Sequence, residues 1–145
     1  MKVDKNKEKT YMKWKKFQKR FREQLHWLDA KQRPKTFGAL RRVVPKLPEE
    51  ATPADLFMFV PGNHSGCVGE IEAHGPFRSF MYLSPALEAD TQGEVDFTVA
   101  HEFAHVFRRR MGLRLPDDEI DESETDKLAE SWGIKKPPKA WGWFG

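Results

Sequence analysis

Cysteine is almost absent from this chain of 145 residues, in which Cys67 stands alone. A single thiol excludes an intramolecular disulfide, a secreted disulfide scaffold and a zinc site built from several cysteines. A reducing compartment, the cytoplasm, is the expected setting. Long apolar runs are missing as well. The longest, Leu56 to Val60, falls far short of the roughly 20 residues that cross a bilayer, so no membrane partner is expected. The opening Met1-Lys2-Val3-Asp4-Lys5-Asn6-Lys7 is charged and leads into no apolar stretch of the kind an export signal needs. What the chain does have is aromatic bulk, 11 Phe and 5 Trp, enough large side chains for one modest core. The length suits a single domain over 1–145.

Charge is distributed unevenly. Residues 1–46 hold 16 Lys+Arg against 4 Asp+Glu, and the other 99 hold 9 against 18. A split of this kind often marks a basic surface that meets nucleic acid or an acidic partner, although the chain's own acidic half is an equal candidate. Within the basic third, Trp14, Phe17, Phe21, Leu25 and Leu28 recur at steps of three and four, which predicts one amphipathic helix over 7–29. Lys13, Lys15, Lys16, Lys19, Arg20 and Arg22 fall on its other faces, where mutual repulsion favours solvent or an anionic partner.

Past Pro34, the stretch Phe37 to Val44 predicts a turn of helix, and Pro45, Pro48 and Pro53 make the rest a connector. Leu56 to Val60, Cys67 to Ile71 and Phe77 to Leu83 predict three strands joined by Gly- and Pro-containing turns. Connections this short suggest a mostly antiparallel sheet. A helix from about Glu94 to Met111 has acids at its start, Arg108, Arg109 and Arg110 at its end and Gly112 as a stop. A further helix is expected from Asp121 to about Trp132, with Gly133 behind it. The tail over 135–145, with Trp141, Trp143 and Phe144, is too aromatic for an inert linker and is expected to dock. The whole reads as an α+β fold: a long basic helix and connector over 1–46, a core over 53–134, and the tail.

The chemistry concentrates in His101-Glu102-Phe103-Ala104-His105. On a helix, residues four apart share a face, so both imidazoles can reach one metal ion, zinc above all, about 2 Å from each nitrogen. Beside that ion, the Glu102 carboxylate can take the proton of an attacking water and later hand it to a leaving group, with the substrate carbonyl polarised by the metal. This is the physical content of the HExxH pattern. Val99, Phe103, Val106 and Phe107 would keep such a site dry. The bland alternative, a surface helix with incidental His and Glu, leaves two histidines and a glutamate among apolar neighbours without a reason.

A catalytic zinc usually has three protein ligands and one open position. Downstream, Glu122 and Asp126 lie four apart on the next predicted helix. Glu122 is the candidate third ligand, and Asp126 the candidate acceptor of a hydrogen bond from a liganding imidazole. Glu124 competes for the third position, but projects about 200° around the helix from Glu122.

With these residues in view, the His101–His105 pattern followed by a Glu-x-x-x-Asp helix resembles the gluzincin group of metallopeptidases, to which thermolysin belongs. More closely, Phe80 to Pro85, Val99 to His105 and Glu122 to Ala129 are similar to the compact ImmA/IrrE-like proteases, over roughly residues 53–134. The resemblance implies a zincin-like fold, zinc held by His101, His105 and Glu122, Glu102 as base, and cleavage of a protein or peptide substrate inside the cell, such as a transcriptional repressor. Softer candidates for substrate or oxyanion contacts are His64 and His74, in Gly- and Pro-containing turns, and Tyr82 with Arg78, whose strand could pair with an extended substrate. The competing reading is a module that binds nucleic acid or an acidic partner through the basic helix, its metal structural or vestigial.

Overall fold

The computed structural model describes residues 5–22, 25, 30–59 and 79–138. The expected middle strand at Cys67 to Ile71, the turns carrying His64 and His74, Arg78, and the tail residues Trp141, Trp143 and Phe144 lie outside the described residues. What is described is mostly helical, with one small sheet. Four helices, α1 (Lys5–Arg20), α2 (Pro34–Val43), α3 (Gln92–Arg110) and α4 (Asp118–Ser131), surround two strands, β1 (Leu56–Phe59) and β2 (Ser79–Tyr82).

The strands correct the antiparallel expectation. β1 and β2 pair in parallel, with Leu56 opposite Ser79 and Phe59 opposite Tyr82. Short turns predict antiparallel neighbours only for runs adjacent in sequence, and the first and third of three such runs point the same way. Residues 60–78 between them exceed the dozen or so that a parallel connection needs.

Helix α3 occupies the centre because apolar residues cover most of its circumference. Val95, Phe97, Val99, Ala100, Phe103, Ala104 and Val106 are all buried. Its start is fixed by a reciprocal cap: Thr91 accepts from the Glu94 amide at 3.3 Å, and the Glu94 carboxylate accepts from the Thr91 amide at 3.4 Å. Its end is fixed by Gly112 at φ 69°, the left-handed conformation that lets the Leu113 amide reach back to the Arg108 carbonyl at 2.8 Å.

Helices α1 and α2 close one side of this core. The stripe of α1 buries Trp14, Phe17 and Phe21, with Phe17 edge-on to Phe103 at 6.2 Å. The helix ends at Arg20, and Leu28, the last position of the expected stripe, lies outside the described residues. Bonds from the Phe21 amide to Phe17 and from the Leu25 amide to Phe21 carry helical spacing beyond it. α2 is longer than the single turn expected. Pro34 supplies a preset φ at its first turn, and the Glu88 carboxylate accepts from the Lys35 and Thr36 amides at 3.0 and 2.8 Å. Burial alone would raise the Glu88 pKa, but these bonds, the Thr36 hydroxyl and the Arg33 charge together hold it below the ordinary value. A paired contact of Arg42 with Asp96, at 2.8 and 2.9 Å, ties α2 to α3.

Helix α4 begins three residues before the expected Asp121, because Asp117 caps it by accepting from the Ile120 amide at 3.0 Å. It lies close against α3 through Thr125 and Ala129, both fully buried and small. At the α3 end, Trp132 meets Phe107 edge-on at 6.0 Å.

Candidate metal centre

The face that α4 turns toward α3 is set by one buried ion pair. Arg108 donates to Asp121 Oδ1 at 2.8 Å and to the Leu113 carbonyl at 2.7 Å, while the Leu115 amide also donates to Asp121 at 2.9 Å. Burial by itself would raise the Asp121 pKa, yet the guanidinium, the amide and the nearby His105 bring it below its usual value. Asp121 therefore stays a carboxylate and locks the rotation of α4. The next residue, Glu122, then faces the histidines of α3.

His101 Nε2 lies 2.8 Å from Glu122 Oε2, and His105 Nε2 lies 2.9 Å from Glu122 Oε1. The two imidazole rings stand nearly perpendicular, 4.6 Å apart. One ligand atom from each of His101, His105 and Glu122 lies within 4.8 Å of the others. Glu124 instead pairs with Lys127 at 3.1 Å, so of the two glutamates weighed for the third position it is Glu122 that joins the histidines.

Asp126 stands where the sequence places it, one turn beyond Glu122. Its Oδ1 is 2.7 Å from His101 Nδ1, and its Oδ2 accepts from Lys136 at 2.8 Å. A carboxylate already holding an ammonium is an acceptor, so His101 Nδ1 carries the proton and donates. In the neutral imidazole, Nε2 then presents its lone pair to Glu122 Oε2. Two acceptors 2.8 Å apart repel unless a cation lies between them. Consistent with that, Glu122 Oε2 is buried and makes no hydrogen bond among the described residues, although it sits at short range from the ring nitrogen. An orphaned buried oxygen costs about 1–3 kcal/mol, and a divalent cation at this point would satisfy it and the imidazole nitrogen together. Two imidazoles and one carboxylate are the donor set that suits zinc.

Burial lowers the His105 pKa, an effect increased by His101 and opposed by Glu122 and Asp121. The ring is thus held toward the neutral form that a metal ligand must have. Glu102 has the opposite displacement. Burial pushes its carboxyl pKa upward, Glu122 adds to the rise, and His101 counters it.

Tyr82 is half-buried on the face of β2 opposite the buried Met81. It does not line the cavity of about 370 Å³ beside His105 and Glu122. Two contributors escaped the sequence reading. Arg108 had a visible signal, since it follows His101 by seven and His105 by three and so shares their face. Lys136 had none, because it lies beyond the end of α4, where no periodicity reports on position.

The second partner of His101 is testable directly. Asp126→Asn leaves the ring without its charged acceptor, and zinc affinity is expected to fall about 10- to 100-fold in a competitive chelator titration. An unchanged affinity would show that Asp126 does not orient the ligand. Compared with known proteins, the chain matches no protein-family model, no curated protein and no solved structure.

Proposed function

We propose that this chain is a zinc-dependent peptidase of zincin-like fold, similar to the ImmA/IrrE-like proteases, acting in the cytoplasm on a protein or peptide substrate. The observation that carries the reading is the convergence of His101, His105 and Glu122 beside Glu102, a half-buried carboxyl with a raised pKa. When bound there, zinc supplies Lewis acidity, polarising a carbonyl and acidifying water. The rest belongs to the chain. Asp126 and Lys136 fix the His101 tautomer, Arg108 and Asp121 fix the rotation of α4, and Phe103 and Val106 keep water from the buried side of α3. Glu102 takes the proton of the attacking water at its carboxylate and returns it to the departing amine, a shuttle suited to a carboxyl raised toward neutrality.

The experiment is cleavage of an unfolded protein such as casein by the zinc-loaded chain. Activity is expected to vanish on chelation and to return with zinc. Activity indifferent to the chelator would refute the proposal.

The exposed basic face of α1 favours a second reading, binding of nucleic acid or an acidic partner. Lys15, Lys16 and Lys19 are exposed around the buried Trp14 and Phe17, and Lys13 and Arg20, which reach the Pro45 and Thr52 carbonyls, stay exposed as well. Phosphate contacts predict affinity that falls steeply with salt. Absence of duplex binding at low salt would dismiss the nucleic-acid form of it. Among the described residues no helix is long and apolar enough to cross a membrane.

A further inference from the structure

The cavity beside the candidate centre has a charge pattern that the proposed chemistry leaves unused. Besides His105 and Glu122, three arginines line it: Arg108, Arg109 and Arg114. Arg108 is committed to Asp121 and the Leu113 carbonyl. The other two are not held in this way. Among the described residues the Arg109 guanidinium makes no ion pair or hydrogen bond, and its side chain is exposed. Arg114 comes no nearer than 3.8 Å to Asp118, both largely exposed, which is too long for a hydrogen bond.

The three acids on the same wall do not cancel them: Glu122 is turned to the two histidines. Asp121 is consumed by Arg108 and the Leu115 amide, and Asp118 is 88% exposed to water, where a pair of this kind is worth little. Arg109 follows His105 by four residues, so it stands one helical turn, about 5.4 Å, along the same face. An extended peptide advances about 3.3 Å per residue. A substrate group held by Arg109 would therefore belong to a residue within about two positions of a bond placed at His105 and Glu122.

We propose that this cavity is a subsite for a substrate carboxylate, gripped by the planar guanidinium donors of Arg109 and Arg114, so that acidic peptides are the preferred substrate class. The proposal rests on the peptidase reading for the nature of the ligand. Guanidinium is suited to this task because its forked donors match both oxygens of a carboxylate. The carboxylate has two sources, an Asp or Glu side chain or the free end of a peptide.

The test measures binding, not turnover. Fluorescently labelled decapeptide mixtures with a fixed central Glu or Gln, each ending in an acid or an amide, are titrated against zinc-loaded Glu102→Gln protein at low salt. Peptides with the carboxylate are expected to bind about tenfold tighter than their neutral counterparts. The difference should disappear in the same protein carrying Arg109→Gln and Arg114→Gln, with zinc content unchanged. A preference that follows the central Glu assigns the subsite to a side chain, and one that follows the free terminus assigns it to the chain end. Equal binding of acidic and neutral peptides, or no binding of either, overturns the proposal. Selective binding of acidic peptides that the native chain never cleaves would leave the subsite standing and remove the peptidase reading alone.

Discussion

Glu102→Gln is expected to keep one zinc per chain while lowering the rate of peptide cleavage about 10²- to 10⁴-fold, the usual worth of a positioned acid-base group. The amide matches the carboxyl in size but cannot take a proton from water. The same substitution has an opposite effect on stability. Glu102 has a folded-state pKa above its ordinary value, so above that pKa the folded state bears the cost of a partly desolvated charge that the unfolded state does not. Gln has nothing to ionise. The metal-free variant should therefore unfold at a higher temperature than the metal-free native chain at neutral pH. The difference should shrink as pH falls below the ordinary carboxylate range, where both states are protonated. Thermal unfolding across pH checks the sign, and a variant less stable at neutral pH would contradict the partly desolvated charge.

The second large effect separates the two glutamates of α4. Glu122→Ala removes the carboxylate that lies within 2.9 Å of both histidines and is expected to weaken zinc binding by more than the roughly 10- to 100-fold that loss of an outer partner costs. Glu124→Ala removes only an exposed pair with Lys127, worth about 0.3–0.5 kcal/mol, and should leave zinc affinity within about twofold. Isothermal titration of both variants reads this contrast. A reversed order would mean that α4 presents a different face to α3.

How much of this was legible beforehand depends on whether the determinant is local. The end of α3 could be read because a basic last turn and Gly112 lie within the segment itself, whereas its start falls at Gln92, two residues before the expected Glu94, where the Thr91 cap sets it. Glu122 and Asp126 could be read as one face because helical spacing is also local. The choice of Glu122 over Glu124 was only half legible, since it depends on rotation about the axis of α4, and that rotation is fixed by Arg108 from another helix. Lys136 was invisible because it lies past the end of α4, where no periodicity reports on position. The pairing of β1 with β2 was misjudged because strand order is a property of the assembled sheet, whereas turn length informs only about adjacent runs. α2 was underestimated because part of its stabilisation comes from Glu88, more than fifty residues away in sequence.

The stripe of α1 shows the limit of charge as a functional signal. Its apolar positions explain themselves, since Trp14, Phe17 and Phe21 complete the core. The lysines between them are what any solvent-facing helix surface could carry, and their excess alone does not select a partner. At the candidate centre the reverse holds, since burial of His101 beside two carboxylates is costly unless a cation is shared among them.

The most direct test of the central claim is elemental analysis of the native chain purified without chelators, read together with the His101→Ala, His105→Ala double variant. The account predicts one zinc per native chain and none in the double variant. A native chain free of bound divalent metal, or a double variant with the same metal content, would contradict it.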